Sequence, residues 1–311
     1  MVDVHAHLAG PGTFRGFSDV GWSQRRSSFP RWDLQDDAGV LEHLYGQREV
    51  TRIWMPQPQH GFDHRAANDY VRGHADSRRL PALCVLPDDL DYSLGQLRSG
   101  AYRAVKSYPH YREPPYREIL EFFPHEVLTL CEQLRLPLVL HVPRPLSHCV
   151  GEVEDIMRAH PSLRVILAHA GRNTHADRPY VAALRGLSRW PNVVVDTAMV
   201  TSVPVLSAAL RILGSDRVLF GSDEPFNLLK YRMIRTKRHG DIAVPAHRYH
   251  WEKPWVRQRY GYLAAGAPAV HFQSLAAVFA AIDRQHRRAS SIDASVQKVF
   301  CANALDLLER E

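Results

Sequence analysis

His5 and His7 lie two residues apart in the short apolar run VDVHAHL at residues 2–8. In a β-strand, residues two apart project from the same face, so both imidazoles would point the same way, with aliphatic residues around them. Two neutral imidazoles form half of a metal site if other ligands converge on them. A pair of hydrogen-bonded histidines near a strand end is the alternative, and the spacing alone does not decide between the two.

Four more polar residues lie at or near the ends of later apolar runs. The runs LPLVLHV, LRVILAHA, NVVVDTA and DRVLFGSD hold His141, His169, Asp196 and Asp223, at successive separations of 28, 27 and 27 residues. A near-constant step of one βα unit places these side chains at equivalent levels of neighbouring parallel strands. Burying six such groups among aliphatic residues would be costly without a ligand, and imidazole and carboxylate suit zinc or a similar divalent ion. The set therefore predicts one metal centre.

The elements that must position these residues form a regular series. Eight β-rich runs alternate with helical patterns, at residues 2–8, 50–56, 82–87, 102–109, 136–142, 163–170, 192–198 and 216–223. This series predicts an α/β fold, a (β/α)8 TIM barrel, whose active site lies at the carboxyl ends of the strands. We expect one domain over residues 1–311, insertions after strands one and eight (9–35 and 226–270), and C-terminal helices over 271–309.

Composition narrows the class of protein. No apolar run approaches the roughly 20 residues that a membrane span needs, and we expect no leader because the first strand begins at Val2. The four cysteines have no paired spacing, so we expect reduced thiols and a cytoplasmic protein. The net charge of +6 is concentrated in residues 226–260, which hold nine Lys/Arg against two Asp/Glu. Such a segment either attracts an anionic ligand or is a solvated face.

The complete set of motifs resembles the amidohydrolase superfamily, in particular its amidohydrolase-related branch of lactone and amide hydrolases and zinc-dependent non-oxidative decarboxylases. The motifs are HxH on strand one, LVLHV on strand five, LAHAG on strand six and FGSDEP on strand eight. The resemblance implies that His5, His7 and His141 hold one divalent ion, with Asp223 as a further ligand or a base. Zinc suits the ligand set best, with manganese or iron as alternatives. His169 would stabilise an oxyanion or carry a proton, or else be a fourth ligand.

Four further residues are candidates for binding substrate. Lys106 ends strand four and would bind an anionic group, although binuclear relatives carbamylate a lysine at this place. Arg144 and Arg172 follow the strand-end histidines and suit a carboxylate through bidentate pairing. Asp196 would contact substrate, orient His169 or cap the next helix.

The predicted function is a metal-dependent hydrolase that uses a metal-activated water on an amide, ester or lactone of a small anionic molecule. Decarboxylation of an aromatic or enoic acid is the alternative within the same fold. A TatD-like nuclease is disfavoured because that family carries a glutamate where this chain has Lys106, and a non-catalytic binding protein is disfavoured by the intact ligand set. Nucleic acid and membrane are thus not expected as partners. The sequence leaves the oligomeric state open, and only the analogy with relatives that dimerise favours a homodimer.

Overall fold

The protein is described here by a computed structural model that covers residues 1–10, 32–57, 62–112, 114–249, 252–286 and 289–309. Eight parallel strands pair in chain order: β1 Val2–Leu8, β2 Thr51–Pro56, β3 Arg79–Cys84, β4 Ala104–Ser107, β5 Leu138–Leu140, β6 Val165–Leu167, β7 Val193–Asp196 and β8 Val218–Leu219. The segment after β8 returns to β1, where the main-chain N–H of Asp223 donates to His5 O at 2.7 Å. The predicted (β/α)8 TIM barrel is confirmed.

Helices surround this barrel and extend past it at the carboxyl end of the chain. They are α1 Leu34–Tyr45, α2 His64–Gly73, α3 Leu90–Arg98, α4 Ile119–Phe122, α5 His125–Gln133, α6 Val150–Ala159, α7 Arg178–Leu187, α8 Val203–Leu213, α9 Pro254–Tyr260, α10 Val270–Gln285, α11 Ala289–Gln297 and α12 Asn303–Leu308. A π-helical turn, Lys298–Ala302, joins the last two. Every predicted strand is present, but β8 is short because residues 220–223 leave the ladder and turn toward β1.

Apolar residues are buried on both faces of the strands. Inside the barrel, Ile53, Val139 and Ile166 belong to one apolar cluster. A second and larger apolar cluster fills the layer between the strands and the helices. Parallel strands covered on both faces are expected to be apolar throughout rather than alternating. The polar residues in these runs are therefore exceptions that need partners.

The segment after β8 forms an antiparallel hairpin, β9 Tyr231–Thr236 and β10 Gly240–Pro245, ahead of α9. On β9 the side chains of Arg232 and Arg235 are exposed. The other predicted insertion, 9–35, falls largely on residues 11–31, which lie outside the described residues. Among the helices described, none combines the length and apolarity that crossing a membrane requires. The single-domain assignment stays a prediction.

Candidate metal centre

A β-bulge on β1 aims both of its histidines into the barrel. Asp3 pairs with Arg52 and Ala6 with Trp54, so β1 has one more residue than β2 in this interval. The extra residue reverses the alternation of side chains. Val4 therefore packs in the barrel interior, Ala6 packs outside, and His5 and His7 both face inward. The sequence predicted that the two imidazoles share a direction, and the bulge makes that direction the interior of the barrel.

Each of these two histidines has its Nδ1 engaged by an acceptor. His5 Nδ1 lies 2.8 Å from Asp196 Oδ2, and His7 Nδ1 lies 3.0 Å from the carbonyl oxygen of Pro56. Since a carboxylate and a carbonyl only accept, the proton of each neutral ring must be on Nδ1. The Nε2 lone pairs are left facing Asp223 Oδ1, at 3.3 Å for His5 and 3.1 Å for His7.

His169 adds a third imidazole of the same kind. It follows β6, its main-chain N–H donates to Asp196 Oδ1 at 2.7 Å, and its Nδ1 donates to Ala198 O at 2.9 Å. One ligand atom from each of His5, His169 and Asp223 lies within 4.8 Å of the others. This compact group favours the alternative in which His169 is a ligand, and it includes two of the four residues predicted to hold the ion.

The imidazole lone pairs that face Asp223 and the carboxylate itself repel one another unless a cation lies between them. Burial lowers the pKa of His169 to about 4 and places the pKa of His5 well below its ordinary value, assisted by the charge of Lys106. Burial by itself raises the pKa of Asp223, but the charge that His5 and His169 carry when protonated outweighs burial and lowers it. At neutral pH the rings of His5 and His169 are therefore uncharged and the Asp223 carboxylate is ionised, which is the donor set that a divalent ion takes.

The backbone at this centre is in an uncommon conformation. Asp223 has φ of 61° and His169 has φ of 57°, both in the left-handed region. A non-glycine residue there costs about 1–2 kcal/mol, so surrounding contacts must hold it. Such conformations cluster at functional sites.

His141 and Lys106 lie beside this group with no hydrogen-bond partner in the part of the chain that the structure describes. Both ring nitrogens of His141 and the Nζ of Lys106 are buried and unpaired. The ring of His141 lies 4.9 Å from that of His169, centroid to centroid. Burial lowers the pKa of Lys106 to about 8, against the opposing charges of Asp196 and Asp223. Buried polar groups left unpaired are expected where a ligand completes the site.

The contacts of Asp196 favour one of the roles predicted for it. Its Oδ2 accepts from His5 Nδ1, and its Oδ1 accepts from the main-chain N–H groups of His169 and Ala198, the latter at 3.1 Å. Burial raises the pKa of Asp196 to about 6. Because both oxygens are engaged, this geometry favours an orienting role over direct contact with substrate.

The two arginines predicted to bind substrate occupy different environments. Arg172 lines a cavity of about 390 Å³ beside His169, and its Nη1 donates to the carbonyl oxygens of Val142 and Pro143 at 2.8 and 2.9 Å. Arg144 instead pairs with Glu152, and its side chain is 48% exposed. The structure therefore brings Arg172 to the site and directs Arg144 toward α6.

Tyr108 is a neighbour of the site that the strand-end comparison missed. Its ring lies 4.2 Å from that of His141, centroid to centroid, in an edge-on arrangement. Tyr108 is two residues beyond Lys106, so the period of two along an extended chain was the signal that could have identified it.

Comparison with known proteins agrees with the barrel. A protein-family model described as amidohydrolase matches residues 2–309. No curated protein matches the sequence.

Solved structures with the same fold share little sequence with this chain. An amidohydrolase from Burkholderia multivorans with bound zinc is 17% identical, with 99% of this chain and 98% of that chain covered and a TM-score of 0.60. A putative 2-pyrone-4,6-dicarboxylic acid hydrolase from Pseudomonas putida is 17% identical, with coverages of 100% and 98% and a TM-score of 0.56. A 2,6-dihydroxybenzoate decarboxylase in complex with 2,6-dihydroxybenzoate is 17% identical, with coverages of 99% and 98% and a TM-score of 0.55. At this level of identity the likeness concerns the fold.

Proposed function

The chain belongs to the amidohydrolase family, and from this premise we propose that it is a metal-dependent hydrolase of an amide, ester or lactone bond in a small carboxylate-bearing substrate. One observation carries the proposal: the Nε2 atoms of His5 and His7 both face Asp223 Oδ1 while their Nδ1 atoms are engaged elsewhere. His169 and the unpaired nitrogens of His141 complete a donor set for one divalent ion, which we propose to be zinc.

The bound ion would supply a Lewis acid that makes water acidic near neutral pH and polarises the substrate carbonyl. This chain's own residues do the remaining work. Asp223 accepts the proton of the attacking water and passes it to the leaving group. Where His169 is not needed as a ligand, its Nε2 lone pair accepts a proton, since Nδ1 already donates to Ala198 O, and the protonated Nε2 can then donate to the developing oxyanion.

Two cationic side chains, Lys106 and Arg172, would orient the substrate. Lys106 is buried beside the centre without a partner among the described residues, so an anionic group of the substrate would satisfy it. Arg172 lines the adjoining cavity and would bind a carboxylate. These contacts favour an acidic substrate, and relatives of this fold include proteins named for dicarboxylic and dihydroxybenzoic acids.

The test has a metal arm and a product arm. Metal analysis of the purified protein should return one equivalent of a divalent ion, lost in His5→Ala and retained in His43→Ala, an exposed histidine of α1. Two equivalents would overturn the single-ion assignment, and none would overturn the proposal.

The product arm separates hydrolysis from decarboxylation, which would use the same centre. A panel of carboxylated lactones, esters and amides is assayed for ring opening or bond cleavage, and aromatic and enoic acids are assayed for release of CO2. We expect turnover in the first group only. CO2 release without hydrolysis would replace our proposal with the decarboxylase.

A further inference from the structure

Behind the wall of the barrel, Arg52 of β2 pairs with carboxylates from three different segments. Its Nη1 lies 2.5 Å from Asp37 Oδ1 of α1, its Nη2 lies 2.8 Å from Glu224 Oε2, and its Nε lies 3.5 Å from Asp3 Oδ2. All four side chains are at most 2% exposed. Buried charges persist only when they are paired, so this guanidinium holds the three segments together.

Two of the three acidic residues also contact the metal centre, Asp3 through its carboxylate and Glu224 through its main-chain carbonyl. Asp3 Oδ1 accepts from the main-chain N–H groups of His5 at 3.1 Å and Ser222 at 2.9 Å. The main-chain carbonyl of Glu224 accepts from the N–H of His7 at 2.7 Å. Arg52 therefore contacts the neighbours of His5, His7 and Asp223 without contacting the centre itself.

The residue most dependent on this arrangement is Asp223. Its left-handed φ of 61° persists only if the residues on either side are held in place. Ser222 is held by Asp3, Glu224 is held by Arg52, and the Ser222 hydroxyl accepts from the main-chain N–H of Glu224 at 3.1 Å. Both neighbours of Asp223 are thus tied to the group around Arg52.

We propose that Arg52 is a positioning residue that holds Asp223 against His5 and His7 from outside the barrel, and thereby sets the affinity of the centre for its ion. The inference rests on the proposed function, because it needs a metal centre at these residues. Partners beyond the immediate ligands commonly change metal affinity 10- to 100-fold, and we expect a loss in that range when Arg52 is removed.

The experiment measures zinc affinity of the metal-free protein by competition with a chromophoric chelator, together with the melting temperature. The variants are Arg52→Met, Arg52→Lys and Glu224→Gln. The matched control is Arg164→Met, since Arg164 donates to the carbonyl oxygens of Leu307 and Glu309, away from the centre. We expect a 10- to 100-fold weaker affinity in Arg52→Met, a smaller loss in Arg52→Lys and Glu224→Gln, and an affinity within twofold of wild type in the control.

The outcomes separate this inference from the proposed function. Wild-type protein that binds no zinc overturns both. Zinc binding by wild type with an unchanged affinity in Arg52→Met overturns the inference alone, as does an equal loss of affinity in Arg164→Met at a similar melting temperature. If Arg52→Met does not fold, the other two variants decide, and affinities within twofold of wild type in both overturn the inference.

Discussion

Asp196→Asn is the substitution that tests most directly how the imidazoles are oriented. The carboxylate accepts from three donors, His5 Nδ1 and the N–H groups of His169 and Ala198. An amide that keeps its oxygen toward the two main-chain N–H groups turns its NH2 toward His5 Nδ1–H, and two donors then face each other. His5 relieves this by moving its proton to Nε2, which removes the lone pair that faces Asp223.

The expected loss follows from that change of tautomer. Removing such an orienting partner typically costs 10- to 100-fold in metal affinity, or about 1.4–2.8 kcal/mol. The reverse orientation of the amide is no better, because its NH2 would then face two main-chain donors. The substitution therefore weakens zinc binding whichever way the amide turns.

Zinc competition with a chromophoric chelator measures this loss, and circular dichroism confirms that the variant is folded. Asp216→Asn is the matched control, because Asp216 is 68% exposed and pairs only with Lys298 among the described residues. A folded Asp196→Asn protein that binds zinc within twofold of wild type would refute the orientation argument.

Three further results are expected. Lys106→Met should raise KM for the carboxylate substrate by about 10-fold or more with a smaller effect on kcat, because a hydrogen bond to a charged group is worth about 1.5–3 kcal/mol. Steady-state kinetics with an unchanged KM would contradict this expectation. His141→Ala and Asp223→Asn should each abolish turnover while the circular dichroism spectrum persists, and unchanged turnover in both would remove the mechanism. His271 is buried in α10, and burial lowers its pKa to about 4, so the unfolded chain takes up the proton first as pH falls below about 6.5. Wild type should therefore lose roughly 3 kcal/mol more stability than His271→Gln between pH 6.5 and 4 in urea unfolding, and parallel losses would contradict it.

Periodicity and strand-end chemistry were enough to predict the barrel. Eight apolar runs alternate with helical patterns, and a near-constant βα step placed His141, His169, Asp196 and Asp223 on neighbouring strands. These are local properties of the chain, so the sequence alone shows them. The predicted ends of the strands were less accurate. In β8, for example, the main-chain hydrogen bonds to β7 stop where residues 220–223 turn toward β1.

The roles of single residues depended on contacts between distant segments. The position of Asp196 in the sequence is compatible with direct contact to substrate. In the folded chain, however, its two carboxylate oxygens accept from His5 Nδ1 and from the main-chain N–H of His169. Arg144 and Arg172 occupy similar places in the sequence, yet one pairs with Glu152 and the other lines the cavity. Tertiary packing decides which partner a long side chain reaches, and this cannot be predicted from a single sequence.

The amino-acid sequence by itself determined the fold, the family and the group of residues that could hold a metal ion. Only the tertiary structure decided that a bulge turns His5 and His7 inward and that Asp223 adopts a left-handed backbone. It also decided that Arg52 supports both neighbours of Asp223 from outside the barrel. The physical reason is that hydrophobic periodicity is encoded locally, whereas tautomer, backbone strain and buried ion pairs are set by groups that meet only after folding.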